Sequence, residues 1–243
     1  IIIAYDNRRN SKFFSNEVAK VFSANNFNVL IFDDVRPTPL LSFSIRHFNA
    51  DGGIMITASH NPPEYNGYKV YNSFGGQIVP PDDKKISESI KKLNFDEIKW
   101  DNKKRKVKII DNNFDKIYFQ KIISNSVLEK NNRQNLKIVY SSLHGTGIKS
   151  IPPLLNEAGY KDINLVENQC FINENFLNTN SSNPEDKSAF EQTIILADKI
   201  NGELIITTDP DADRLGVGVR DFKRNWILLN GNQLMVLDRK SVV

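Results

Sequence analysis

Short apolar runs of four or five residues recur along this 243-residue chain, each separated from the next by a stretch with helical spacing. That alternation restricts the fold more than any other feature. Ile1–Tyr5, Asn28–Phe32 and Gly53–Thr57 read as strands, and Ser11–Asn25, with Ser11 as N-cap, and Thr38–Phe48 read as helices. Tyr68–Tyr71 and Gly76–Val79 predict a hairpin around Ser73–Gly75, and Asp82–Leu93 predicts a helix. The charged, poorly periodic segment Asn94–Lys108 marks a boundary. A second series follows: helix Phe114–Lys130, strand Leu136–Ser141, helix Ile148–Ala158, strand Asp162–Val166, helix Glu185–Ile200 and strand Leu204–Thr208. The pattern predicts an α/β fold of two consecutive domains, residues 1–108 and 109–243, each a mixed, mostly parallel sheet flanked by helices. Open sheets of this kind bind ligands at the carboxyl ends of their strands.

Two strand-end loops carry clustered reactive groups. The first lies in Ile54–Lys69, Ile-Met-Ile-Thr-Ala-Ser-His-Asn-Pro-Pro-Glu-Tyr-Asn-Gly-Tyr-Lys. Pro62 and Pro63 stop the strand from running on into a helix. The loop therefore offers a hydroxyl (Ser59), an imidazole (His60), an amide (Asn61) and an amine (Lys69), a set suited to moving a phosphoryl group or a proton. Loops are also polar simply because they are wet, and the residue types alone leave that reading open.

The second loop is Asp209-Pro210-Asp211-Ala212-Asp213-Arg214, directly after the strand Leu204–Thr208. Its carboxylates alternate, so in an extended conformation they share one side and can converge on a hard cation. Mg²⁺ is favoured, because it accepts a few carboxylates together with water and phosphate oxygens. An exposed acidic turn, which Pro210 would suit, is the bland alternative. An EF-hand is excluded, since Arg214 stands where its glycine is needed and Arg220 where its glutamate is. An aspartyl phosphatase of the haloacid dehalogenase type, with Asp209 as nucleophile, stays open, although Asp213 replaces the Thr or Val of that pattern. Leu143-His144-Gly145-Thr146-Gly147 is not a nucleotide loop: Ile148 precedes Lys149 where a P-loop needs glycine, and Ser150 stands where a dinucleotide fingerprint needs one. It reads as a structural turn.

Composition closes off several classes. The balance of 32 basic against 29 acidic residues gives a charge of only +3, and the basic run Lys103–Lys106 has no interleaved aromatics. That run reads as a solvated turn, and no nucleic-acid partner is expected. No apolar stretch approaches the roughly 18 residues of a membrane span, so no membrane partner is expected either. Cys170 is the only cysteine, which excludes an intramolecular disulfide and fits a reducing, cytoplasmic location.

Thr57-Ala58-Ser59-His60-Asn61-Pro62, with Tyr65-Asn66-Gly67-Tyr68-Lys69 after it, resembles the phosphoserine loop of the α-D-phosphohexomutases, the phosphoglucomutase and phosphomannomutase family. Asp209–Arg214, followed by Leu215-Gly216-Val217, resembles the metal loop of the same family. Tyr5–Ser11, the His-Gly-x-Gly turn at His144, Asn183-Pro184-Glu185 and Gly231-Asn232-Gln233 extend the resemblance over nearly the whole chain, with Ser182 where the family usually has proline. Asn183-Pro184-Glu185 reads as a helix start with Pro184 near N1.

The resemblance implies the first two of four domains, truncated at both ends. A Gly-Thr-Ser-Gly-x-Arg-Gly segment would precede Ile1, and sugar-selecting and phosphate-binding loops would follow Val243, so the chain alone is expected to lack mutase turnover. The resemblance also implies a phosphoserine at Ser59, and Mg²⁺ held by Ser59, Asp209, Asp211 and Asp213. Lys69 would be the general acid/base, its pKa lowered by the nearby cation, and His60 would bond the phosphate or substrate oxygen. Asn61, Arg214 and Arg8 would bind substrate or phosphate. The reaction implied interconverts the 1- and 6-phosphates of glucose or mannose through a bisphosphorylated sugar of the glucose 1,6-bisphosphate type, a pentose phosphate being the alternative. A non-catalytic metal- or sugar-phosphate-binding module is a third class, and the oligomeric state is left open.

Overall fold

The computed structural model describes residues 1–100, 107–126 and 133–242, with side chains as far as 237. The first sheet is built from β1 (Ile2–Tyr5), β2 (Val29–Phe32), β3 (Gly52–Ile56), β4 (Tyr68–Asn72) and β5 (Val107–Ile110), in the order β4-β3-β1-β2-β5. Its pairings are parallel except for β3 with β4. β1 is buried on both faces and sends its side chains alternately to two cores. Ile2 and Ala4 meet Leu40, Leu41 and Ile45 of α2 (Thr38–His47), while Ile3 and Tyr5 meet Ala19 of α1 (Ser11–Ala24). Helices thus cover both faces, as the near-continuous apolar runs require.

The second sheet contains β6 (Ile138–Ser141), β7 (Ile163–Leu165), β8 (Leu204–Thr208), β9 (Leu215–Arg220) and β10 (Trp226–Leu229), in the order β10-β9-β8-β6-β7. β6 pairs parallel with β7 and β8, whereas β8–β9 and β9–β10 are antiparallel. Only six residues separate β8 from β9, too few for a crossover, so the chain must return as a hairpin. The acidic loop is the tip of that hairpin. The remaining helices are α3 (Asp82–Lys92), α4 (Asn113–Ser124), α5 (Ile151–Glu157), α6 (Glu191–Ile200) and α7 (Gly231–Val242).

Several expectations shift. The boundary placed after residue 108 falls inside β5, which pairs with β2 from Val29↔Val107 to Phe32↔Ile110, and Phe114 of α4 still packs in the first core. Ser11 is the first helical residue and not the cap: Asn10 holds the N-cap position with φ 65 and no side-chain cap bond, and the Ser11 hydroxyl donates to Asp6. Pro184 does not begin a helix. Asn183 accepts from the Glu185 N–H and Ser181 donates to Asp186, forming a turn, and a 3₁₀ segment Lys187–Phe190 leads into α6 only at Glu191. The second arm of the expected hairpin reduces to a Tyr71–Gln77 bridge and an Ile78 N–H bond to Val70. The expected continuation of α4 over 127–130 and the basic run at 103–106 lie outside the described residues. Among the described residues no helix is long and apolar enough to cross a membrane.

Polar contacts join the two halves. Asn7 donates to the carbonyls of His144 (3.0 Å) and Asn173 (2.9 Å), Ser182 Oγ donates to His60 O (2.6 Å), and Lys149 pairs with Asp34 (2.8 Å). These contacts turn the carboxyl ends of β3 and β8 toward each other.

Candidate active site

Beyond β3 the chain turns sharply, and Ser59 adopts φ 55, in the left-handed region. For a residue with a Cβ this conformation costs about 1–2 kcal/mol, so it must be held. The Ser59 N–H donates to Thr57 Oγ1 (2.8 Å), and its carbonyl accepts from Arg8 Nη2 (2.6 Å). The returning strand passes close by: Thr57 N–H bonds Gly67 O, and a Cβ on Gly67 would sit 2.6 Å from Thr57 O. Glycine is required there for that approach.

Arg8 departs from its expected role. It is 3% exposed, and its guanidinium bonds main-chain carbonyls of the serine loop instead of facing a phosphate. Asn61 is exposed and contributes its backbone carbonyl to this set.

The acidic loop converges by a different route from the extended one expected. Ala212 is left-handed at φ 51, and its N–H closes a turn on Asp209 O (2.9 Å). The turn brings one oxygen from each of Asp209, Asp211 and Asp213 within 4.8 Å of one another. Asp209 and Asp211 are both 0% exposed. The His144–Gly147 turn braces the loop from behind: Thr146 donates to Pro210 O through its N–H (2.8 Å) and hydroxyl (3.0 Å), and a Cβ on Gly145 would lie 2.4 Å from Pro210 Cα.

The two loops, 150 residues apart in sequence, meet where Ser59 Oγ donates to Asp209 Oδ2 at 3.2 Å. His60 Nδ1 lies 3.4 Å from the same hydroxyl. Asp209 Oδ1 accepts the Arg214 backbone N–H (2.9 Å). Asp211 Oδ2 accepts from Lys69 Nζ (2.9 Å) and Thr38 Oγ1 (2.9 Å), and Lys69 also reaches Asp213 Oδ2 (3.2 Å). Thr38, first residue of α2, additionally donates its N–H to Asp211 O (2.9 Å). Thr38 belongs to neither loop motif, and Thr57 opens the serine-loop motif with no role of its own assigned there. The only sequence trace of Thr38 is a threonine before proline at a helix start after a strand, and of Thr57 a hydroxyl two residues before the reactive serine.

Electrostatics follow from burial and proximity. Burial, then the charges of Asp211 and Asp213, push the Asp209 carboxyl well above the usual range. Burial acts on Asp211 in the same sense, but the Lys69 ammonium overrides it and holds Asp211 low. Burial works to lower Lys69, yet Asp211 and Asp213 outweigh it and drive its pKa up; the lowering expected from a nearby cation belongs to the metal-bound site. His60 is lowered by burial and by the Arg214 guanidinium. Arg214 and Asp213 also line an open cleft of ≈ 900 Å³ with Glu185 and Asn230.

The donor set fits a hard divalent cation. All three groups are carboxylates, and among the described residues Asp211 Oδ1 is buried without any hydrogen-bond partner. An orphaned buried carboxylate oxygen is costly unless something positive completes it.

Comparison with known proteins agrees with this geometry. Residues 1–97 match the family described as phosphoglucomutase/phosphomannomutase, alpha/beta/alpha domain I, and residues 116–223 match its alpha/beta/alpha domain II. The chain is 37% identical over 243 residues to a phosphoglucomutase of Staphylococcus epidermidis, covering 98% of this chain and 44% of that protein. It is 37% identical over 244 residues to a phosphomannomutase of Mycoplasmoides pirum, with 98% and 44% coverage. The chain therefore spans less than half the length of these relatives. In fold it resembles a phosphoglucomutase/phosphomannomutase family protein of Burkholderia thailandensis, with a TM-score of 0.73 at 23% identity over 90% of this chain and 46% of that one. With both domain profiles matched in order on two α/β units, the chain belongs to the phosphoglucomutase/phosphomannomutase family of the α-D-phosphohexomutases.

Proposed function

We propose that this chain carries the phosphoryl-transfer half of a sugar-phosphate mutase, with Ser59 as the residue that accepts and returns the phosphoryl group. The observation that carries this reading is the 3.2 Å contact between Ser59 Oγ and Asp209, which puts a hydroxyl against a three-carboxylate cluster suited to Mg²⁺. Asp209, Asp211 and Asp213 would hold the ion, with a phosphate oxygen on Ser59 as a further ligand. When bound, Mg²⁺ supplies neutralising charge for an in-line phosphoryl transfer.

The chain's own residues do the rest by positioning. Asp209 Oδ2 accepts the hydrogen bond of the Ser59 hydroxyl and so fixes the direction of its oxygen beside the acidic loop. Lys69, kept protonated by Asp211 and Asp213, is a proton donor toward a substrate oxygen. His60 donates a hydrogen bond beside the transferring group, and Arg214 offers its fork to a phosphate in the adjoining cleft. The substrates in this reading are the 1- and 6-phosphates of glucose or mannose, exchanged through a bisphosphorylated sugar, in the cytoplasm. Phosphoglucomutase and phosphomannomutase relatives at equal identity support both sugars.

A back-transfer assay tests the proposal. The complete gene product is labelled with ³²P-glucose 1,6-bisphosphate and Mg²⁺, freed of ligand, and chased with glucose 6-phosphate, mannose 6-phosphate or ribose 5-phosphate. Label returning to a hexose phosphate supports the reading, return only to the pentose phosphate reassigns the substrate, and label that never leaves the protein defeats it.

A further inference from the structure

Arg8 is committed to the main chain of a single loop. Nη1 donates to Pro62 O (2.7 Å) and Tyr65 O (3.0 Å), and Nη2 donates to Ser59 O (2.6 Å) and Asn61 O (2.6 Å). Four carbonyls spread over seven residues are thereby gathered on one rigid, planar group. A lysine, with a compact charge on a flexible stem, cannot span them. Carbonyls carry no net charge, so the buried cation needs a counter-ion, and Asp6 Oδ2 lies 3.2 Å from Nε, both side chains being fully buried. The other face of the guanidinium lies over the Phe176 ring of the second half, 4.9 Å from its centroid.

Thr57 holds the opposite side of Ser59. Its hydroxyl oxygen accepts the Ser59 N–H (2.8 Å). Both peptide groups flanking the Ser59 Cα are therefore fixed, one through Thr57 and one through Arg8, and Asp6 anchors Arg8. With φ at 55 and the two flanking peptides held, the direction of the Ser59 side chain toward Asp209 is determined.

We propose that Arg8 and Thr57 are positioning residues that keep Ser59 left-handed with its hydroxyl aimed at the acidic loop. The stacking of Arg8 on Phe176 makes that geometry depend on the second half being docked. The consequence for phosphoryl transfer rests on Ser59 being the phosphoryl carrier; the consequence for loop geometry does not.

Arg8→Lys keeps the charge and removes the fork, and Thr57→Val keeps the shape and removes the acceptor. For each variant, made in the complete gene product, amide hydrogen exchange over residues 58–66 is measured together with the rate of Ser59 phosphorylation by glucose 1,6-bisphosphate and Mg²⁺. The loop amides should exchange on the order of tenfold faster, while those of β3 and the Mg²⁺ affinity stay unchanged. The phosphorylation rate should fall about 100-fold in Arg8→Lys and about tenfold in Thr57→Val, at an unaltered half-saturating bisphosphate concentration, since only the orientation of the acceptor has changed. Unchanged loop exchange in a folded variant overturns the proposal, as does a loosened loop with an undiminished rate. Should Arg8→Lys fail to fold, Thr57→Val decides by the same two readouts. If the unmodified complete gene product takes no phosphoryl group, the mutase reading falls and the exchange data alone decide on Arg8 and Thr57.

Discussion

The loop bearing Ser59 and the loop bearing the three aspartates end corresponding strands, β3 and β8, yet they are held in opposite ways. The serine loop lies largely at the surface and is fixed through its main chain, with Arg8 and Thr57 bonding backbone groups and leaving the Ser59 hydroxyl to the acidic loop. The aspartate loop has two of its three carboxylates fully buried and is fixed through those side chains, by Lys69, Thr38 and the Arg214 N–H. A group that must visit substrate keeps its side chain unencumbered, whereas a group that must hold a cation is desolvated in advance. The first loop should therefore be sensitive in rate and the second in binding and stability.

The largest expected effect is that of Ser59→Ala, which should abolish phosphoryl incorporation while changing stability by less than about 0.5 kcal/mol, because a half-exposed hydroxyl contributes little packing. Mass spectrometry and thermal melts check both halves of that statement. Loss of the fold instead would show that the serine loop is structural, and the contrast between the loops would disappear. Asp209→Asn should do the reverse. It should weaken Mg²⁺ binding by on the order of 100-fold, read by calorimetry. It should also raise metal-free stability by about 1 kcal/mol, because burial already disfavours the charge it removes.

Much of this contrast could be read in the sequence, and the unread part has a common cause. The apolar runs are buried strands, so period and length located β1, β2, β3 and β8 closely, whereas residue chemistry only offered Ser59 and the three aspartates as candidates and the family resemblance singled them out. Arg8 read as a substrate-facing cation because a sequence does not tell whether a guanidinium meets solvent or four carbonyls. The extended acidic strand failed on the left-handed Ala212, a conformation that alanine does not signal. The Lys69 pKa was expected to answer to a nearby cation, but it also depends on Asp211 and Asp213, 142 and 144 residues away.

The comparison also predicts a pH dependence centred on Asp6, the anchor of the serine loop. Burial pushes its carboxyl up to about 6, against 3.8 unperturbed, despite bonds from Thr57, Arg8 and Ser11. The folded chain then binds the proton more tightly than the unfolded one. Asp6 thus contributes stability that is fully present below about pH 4 and is lost as pH rises through about 6, roughly 3 kcal/mol in all. Denaturant titrations at pH 4, 5, 6 and 7 should show this slope in the unmodified chain and a shallower one in Asp6→Asn. Identical slopes would remove Asp6 as the source.

The smallest effect should come from Thr38→Val. Losing the hydroxyl that caps Asp211 Oδ2 should cost about 1 kcal/mol and weaken Mg²⁺ several-fold, leaving Ser59 loop exchange unchanged. A change confined to the serine loop would show that the two loops are not held independently.

The position of the transferred phosphate tests the central claim most directly. The complete gene product is incubated with glucose 1,6-bisphosphate with and without Mg²⁺, and the phosphorylated residue is mapped by peptide mass spectrometry. The account predicts a single acid-stable phosphoryl group on Ser59, formed only when Mg²⁺ is present. A labile acyl phosphate on Asp209, or incorporation at Ser59 that ignores the metal, would contradict it.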